Sequence, residues 1–159
     1  MDSSTTPTNP GGATNRGITQ ATYDQYRAKQ GVPPRPVSAI TEAEVTAIYQ
    51  SQYWNACRCA DIEPLDVGLA LVVFDTAVNS GVGDASKILQ RLLQVTPDGQ
   101  IGPQTIGALI GRDLKELAED YLWARLALDA GIAQRRPKSR QFLLAWVSRV
   151  LSLRGSLQQ

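Results

Sequence analysis

Apolar residues recur along most of this chain at helical rather than alternating spacing, and the polar breaks between them carry helix start and stop signals. Residues 1–16, rich in Ser, Thr, Asn, Gly and Pro, read instead as loop. A helix is predicted from about Thr19 to Lys29, with Ile18, Thr22, Tyr23 and Tyr26 on one face. Gly31-Val32-Pro33-Pro34-Arg35-Pro36 cannot be helical. Thr41 and Glu44 then form a capping box, flanked by Ile40 and Val45 as a hydrophobic staple, and open a helix to about Tyr53 or Trp54. A polar connection, Asn55 to Glu63, should follow, with Pro64 starting the next helix.

From Leu65 to Asn79 the chain is apolar nearly all round, which predicts a central buried helix ended by Gly81 and Gly83. The β-branched residues also permit a buried strand over Leu69 to Phe74. Asp84 can cap a helix through Leu93, and Pro97-Asp98-Gly99 reads as a turn. Gly102-Pro103 opens a short helix to about Ile110. Asp113 and Glu116 start a long amphipathic helix, expected to stop near Ala130 at Gly131. A basic loop, Gln134 to Arg140, leads to a last helix whose apolar stripe is Phe142, Leu143, Ala145, Trp146, Val150 and Leu151, and the tail from Gly155 should fray. The sum is an all-α or mostly α class: about six or seven helices and little or no sheet.

Composition narrows the chemistry. With 159 residues the chain fits one domain, read as an N-terminal part, 1–63, and a C-terminal helical part, 64–155, forming one compact unit. A net charge of +1 gives no electrostatic case for nucleic acid or an acidic membrane. There is no histidine, which removes Ser-His-Asp and Cys-His catalysis and most zinc chemistry. Cys57 and Cys59 are too close in sequence for an unstrained bridge and read as reduced, partly buried thiols. No metal or cofactor is expected. No stretch reaches the length of a membrane span, and no signal peptide is visible.

Two sets of segments are less generic. One is Asn9-Pro10-Gly11-Gly12-Ala13-Thr14-Asn15-Arg16-Gly17-Ile18-Thr19. The other is Phe74-Asp75-Thr76-Ala77-Val78-Asn79-Ser80-Gly81-Val82-Gly83, then Leu89-Gln90 and Asp98-Gly99-Gln100-Ile101-Gly102-Pro103-Gln104-Thr105. With Tyr49-Gln50-Ser51-Gln52-Tyr53-Trp54 between them, they resemble glycoside hydrolase family 108, the lysozyme-like phage and prophage muramidases also described as secretion activators. The later segments resemble that family's C-terminal peptidoglycan-binding region. The resemblance spans about residues 5 to 150 and implies a lysozyme-like helical fold acting on peptidoglycan, between N-acetylmuramic acid and N-acetylglucosamine.

That resemblance also places the catalytic positions. The family pattern is a Glu-Gly-Gly-Tyr, then an Asp in Asp-Pro-Gly-Gly, then a Thr. Here the Thr is Thr14 and the Asp position holds Asn9. The Glu falls one residue ahead of Met1, and the aromatic expected before Gly-Ile-Thr is Arg16. Glycosidic cleavage needs a carboxylic acid to protonate the leaving oxygen, a contribution of about 10²–10⁴-fold. Asn9 can orient a water but cannot take its proton. Little hydrolysis is therefore expected from these residues, through either a start site set too late or a decayed gene. A Glu-Gly-Gly-Tyr encoded upstream would point to the first.

The remaining candidates are substrate contacts. Asp75, with Asn79 one turn beyond on the same face, reads either as a cleft acid or as a buried carboxylate held by hydrogen bonds from a neighbouring loop. The pair is expected either to bind sugar amides or, preferably, to brace the Gly11-Gly12 loop. Trp54, Trp123 and Trp146 are expected mainly in the core, with Tyr53 and Trp54 the best wet aromatic face. Arg16 is a further contact. Arg135, Arg136, Lys138 and Arg140 read as solvated surface, or as contacts for stem-peptide carboxylates or polymer phosphates. Implied partners are peptidoglycan glycan strands, together with a holin or other phage proteins. The implied location is the cytoplasm until release to the wall, or the virion. Three functions stay open: a muramidase, a non-catalytic wall-binding or phage structural module, and a helical adaptor with no glycan contact.

Overall fold

The computed structural model describes residues 12–158. Its backbone divides into two compact units, residues 1–50 and 51–159, so the division falls earlier than the expected 63/64 boundary. The reason lies in residues 55–63. Expected as a polar connection, this stretch sends Cys57, Cys59 and Ile62 fully into the core of the second unit.

The first unit begins with a hairpin that the sequence did not display: its first strand was expected as loop and its second as the start of a helix. Strand β1 (Thr14–Asn15) pairs antiparallel with β2 (Ile18–Thr19). Arg16 and Gly17, the two residues between them, both have positive φ, +50° and +78°. That is the requirement of the two-residue primed turns whose twist matches paired strands. Gly17 is also confined by space, since a Cβ there would lie 2.6 Å from the Tyr49 hydroxyl, which donates to the Arg16 carbonyl at 2.9 Å. Thr19 ends β2 and caps α1 (Gln20–Lys29), its Oγ1 accepting from the Thr22 N–H. After the proline-rich loop and a 3₁₀ turn at Val37–Ala39 comes α2 (Glu42–Tyr49). Its capping box is the one read from Thr41 and Glu44. Ile18, Tyr23, Val37, Ile40 and Ile48 form this unit's core, with Val45 packed against it.

A π-helical turn, Gln50–Trp54, leads to the short helix α3 (Cys59–Ile62). Helix α4 (Val67–Ser80) starts three residues after Pro64. Asp66 supplies the cap instead, its Oδ1 accepting from the Leu69 N–H at 2.6 Å. A carboxylate there satisfies an orphan N–H and complements the helix dipole, which Pro64 cannot do. Asp66→Ala is expected to lower stability by about 1 kcal/mol, read from urea unfolding followed by tryptophan fluorescence. All three tryptophans, Trp54, Trp123 and Trp146, lie in this unit, so the probe reports it alone.

The strand alternative for Leu69–Phe74 is not realised: α4 is a continuous helix packed against α3, α5 (Val82–Leu92), α7 (Leu114–Arg135) and α8 (Leu143–Leu157). It is central but not buried all round, because Val67 and Leu71 face outward. Gly81, at φ +96°, breaks α4 and turns the chain into α5. The motif residues Gln90 and Asp98 to Thr105 prove architectural. Gln90 donates to Asp98 Oδ1 and the Gln100 carbonyl, and accepts from the Gly99 N–H, pinning the turn ahead of α6 (Pro103–Gly107).

Helix α7 runs past Gly131 to Arg135, longer than expected. An interior glycine costs about 1 kcal/mol against alanine, and burial of Asp129 and Ala133 on either side keeps the helix intact. Pro137 ends it, holding Arg136 extended at φ −124°. The expected basic loop is thus a helix end followed by a 3₁₀ turn, Pro137–Phe142. In α8 only Val150 is buried, while Leu144 and Leu151, like Phe142 just ahead of the helix, lie exposed. The helix continues to Leu157, where fraying was expected. Among the described residues there are eight α-helices and one two-stranded sheet, and no helix is long and apolar enough to cross a membrane.

Candidate functional site

In the first unit, Thr14 opens β1 with its side chain exposed and its Oγ1 3.5 Å from the Gly12 carbonyl. Asn9 lies outside the described residues. Arg16 sits at the hairpin turn and pairs with exposed Glu42 at 3.0 Å. This unit also holds a half-buried carboxylate that the sequence marked only as a helix cap. Glu44 accepts from the Thr41 N–H (2.9 Å), the Tyr23 hydroxyl (2.9 Å), Arg27 Nη1 (2.9 Å) and Arg35 Nη2 (2.6 Å). Burial works against its ionisation. The Thr41 N–H, the Tyr23 and Thr41 hydroxyls and the Arg35 charge outweigh it, and hold the carboxyl at about 2. Such a group stays ionised and fully engaged, so it is a brace and not a proton donor.

The second unit holds the larger polar centre. Asp75 and Asn79 share a face of α4, as their spacing dictates, and the Asn79 amide donates to the Asp75 carbonyl at 2.7 Å. The Asp75 carboxylate meets two arginines. Arg125 of α7 donates from Nη1 to Oδ2 at 2.5 Å, and Arg149 of α8 places Nη2 2.5 Å from Oδ1 and Nε 3.0 Å from Oδ2. The expected partner was a neighbouring loop; the partners are two helices. Burial raises this carboxyl, but the hydrogen bonds and charges of Arg149 and Arg125 prevail and hold it below the usual carboxylate range. Asp75 thus staples α4 to α7 and α8.

Arg125, fully buried, is shared. Its Nε faces Asp129 Oδ2 at 3.8 Å, beyond hydrogen-bond reach, and neither atom has a hydrogen-bond partner. Both residues line a cavity of about 440 Å³. Asn79, Ser80, Asp84, Arg135, Arg136 and Trp146 complete its polar and aromatic lining, with Leu128 and Ile132 as its apolar residues. Trp146 is half-buried there and stacks at a tilt on Phe142, with ring centroids 6.2 Å apart. The other tryptophans sit elsewhere. Trp54 packs edge-on against Phe74, and Trp123 is half-exposed beneath the Arg154 guanidinium. Tyr53 is half-buried against the same core as Trp54. Sequence spacing brought Asp75 and Asn79 together. It did not foresee Arg125, Arg149 or Asp129, whose meeting depends on α7 and α8 folding back along α4. Cys57 and Cys59 are free and fully buried, with burial raising their thiols to about 11 and about 12, so they are inert here.

Comparison with known proteins fits this arrangement. The glycosyl hydrolase 108 family model matches residues 3–81, and a predicted peptidoglycan domain model matches residues 84–151. The solved structure of Brucella abortus SagA is similar at 33% identity and a TM-score of 0.76, covering 96% of this chain and 83% of that one. The chain belongs to the glycosyl hydrolase 108 family. No curated protein matches it. The join between the two matched regions falls at the α4–α5 turn, inside the second compact unit. Asp75 belongs to the first region, and Arg125 and Arg149 to the second. The ion cluster therefore ties the end of the hydrolase 108 region to the peptidoglycan region of this family 108 chain.

Proposed function

We propose that residues 1–159 bind peptidoglycan and contribute little or no cleavage of it. The supporting observation is the polar cavity lined mostly by the region that matches a peptidoglycan domain, with charged residues of both signs and an aromatic wall. Such a lining suits a polar, partly apolar polymer better than a uniformly charged one. On the hydrolytic side, the family pattern puts Asn9 where a carboxylate should receive the proton of the attacking water. Glu44, a half-buried carboxylate of the described N-terminal unit, is engaged by Thr41, Tyr23, Arg27 and Arg35 and held ionised. A longer product supplying Glu-Gly-Gly-Tyr ahead of Met1 would add a general acid but would leave Asn9 in place. Its reaction, if restored, would be cleavage between N-acetylmuramic acid and N-acetylglucosamine, with Thr14 holding the water.

A turbidity assay on purified cell walls, run beside pull-down by insoluble peptidoglycan, tests this reading. Retention of the chain on the wall with no loss of turbidity is the expected result. Absence from the wall would overturn the binding reading, and clearing by this chain would overturn the catalytic one.

A further inference from the structure

The cavity beside Asp129 has a charge pattern specific enough to name a ligand. We propose that it takes the zwitterionic end of a peptidoglycan stem peptide, where an ammonium and a carboxylate share one carbon, with Asp129 and Asp84 facing the ammonium and Arg135 and Arg136 the carboxylate. This rests on the wall-binding reading above and assigns it a subsite.

Three observations lead there. First, the side chain of Asp129 is 4% exposed, yet its Oδ2 has no hydrogen-bond partner and stands 3.8 Å from the equally orphaned Arg125 Nε. Buried polar atoms are rarely left so, because each costs the hydration it has lost. An ammonium in the cavity, which Asp129 lines, would give that carboxylate a charge-assisted partner. Burial raises the Asp129 carboxyl and Arg125 only partly offsets it, which is the condition of a carboxylate still short of positive charge. Second, Arg125 is a poor partner for a ligand carboxylate, since its Nη1 is held by Asp75 and its Nε is turned to Asp129. Arg135 and Arg136, exposed at the end of α7, have no ion-pair partner among the described residues and lie on the same lining. Third, two cations and two carboxylates leave the lining balanced once Arg125 and Asp75 neutralise each other. A simple anion would meet Asp84 and Asp129, and a simple cation would meet Arg135 and Arg136. A head group with both charges meets no repulsion, and Leu128, Ile132 and Trp146 offer its methylene stem an apolar wall.

Calorimetric titration with three N-acetylated stem tetrapeptides tests this. One carries diaminopimelate at its third position, one carries lysine there and so lacks the side-chain carboxylate, and one carries diaminopimelate acetylated on its side-chain nitrogen. The first is expected to bind, and each change to weaken binding by roughly tenfold or more. Asp129→Asn should weaken the first peptide by a similar factor, whereas Arg136→Ala should narrow the gap between diaminopimelate and lysine. Circular dichroism confirms that both variants fold, and since Arg136 is exposed, its result stands even if Asp129→Asn perturbs the core. Equal binding of the three peptides, or no change in either variant, overturns the proposal. Whole peptidoglycan that still sediments the chain while the peptides are silent overturns this subsite and leaves the wall-binding reading standing. Loss of sedimentation removes both.

Discussion

Arg125→Met is expected to destabilise the second unit by about 3–5 kcal/mol, the usual loss when one partner of a buried ion pair is removed. The guanidinium is 1% exposed and stands between two carboxylates, Asp75 at 2.5 Å and Asp129 at 3.8 Å. Without it the cation left to Asp75 is Arg149, whose side chain is half in solvent, and Asp129 loses the cation that stands within 4 Å of it. A buried carboxylate in that position takes up a proton instead of staying charged. The loss should therefore shrink in acid, where the wild type has itself begun to lose the Asp75 contribution. Asp75 is held below its ordinary value in the folded chain, so its stabilisation is present above that value and fades as pH falls. Adding Asp129→Asn to Arg125→Met should recover part of the loss, because the orphaned charge goes with it. Urea unfolding followed by tryptophan fluorescence measures all of this. A loss below about 1 kcal/mol for Arg125→Met would mean that Arg149 alone anchors Asp75.

The second large effect belongs to the first unit. Glu44→Gln is expected to cost about 1–3 kcal/mol, since Arg27, Arg35, Tyr23 and Thr41 all lose their shared acceptor charge. The pH dependence is the sharper signature. The Glu44 carboxyl sits at about 2 in the folded chain against an ordinary 4.5. Its stabilisation is complete above about 4.5 and is lost as pH falls from there toward 2. Hydrogen exchange of amides in residues 12–50 should show protection falling across that window in wild type and a flatter course in Glu44→Gln. An equal slope in the two would show that the arginines do not depend on this carboxylate.

Both centres show what a sequence can and cannot display. The Thr41–Glu44 box was legible because capping is a local pattern, complete within four residues. The second life of Glu44 was not, since Arg35 and Arg27 reach it from 9 and 17 positions away. Asp75 and Asn79 were paired by helical spacing alone. Their arginines come from 50 and 74 residues further on, and only the packing of α7 and α8 brings them in. Local boundary signals misled in two places. Gly131 and Pro64 are ordinary helix boundaries in isolation, but the burial of α7 carried the helix through the glycine, and Asp66 offered a better cap than the proline. The Asn9-to-Thr19 motif carried family information. Its Gly17 has a physical cause as well, a positive φ against the Tyr49 hydroxyl. Of the catalytic pair read from the resemblance, Thr14 falls on the exposed strand β1, and Asn9 lies outside the described residues.

The account turns on attachment to the wall without scission of its glycan. Mass spectrometry of the supernatant after this chain has been incubated with purified peptidoglycan reads that directly. The expected outcome is protein in the pellet and no soluble fragments ending in newly reducing N-acetylmuramic acid; a steady release of such fragments would contradict it.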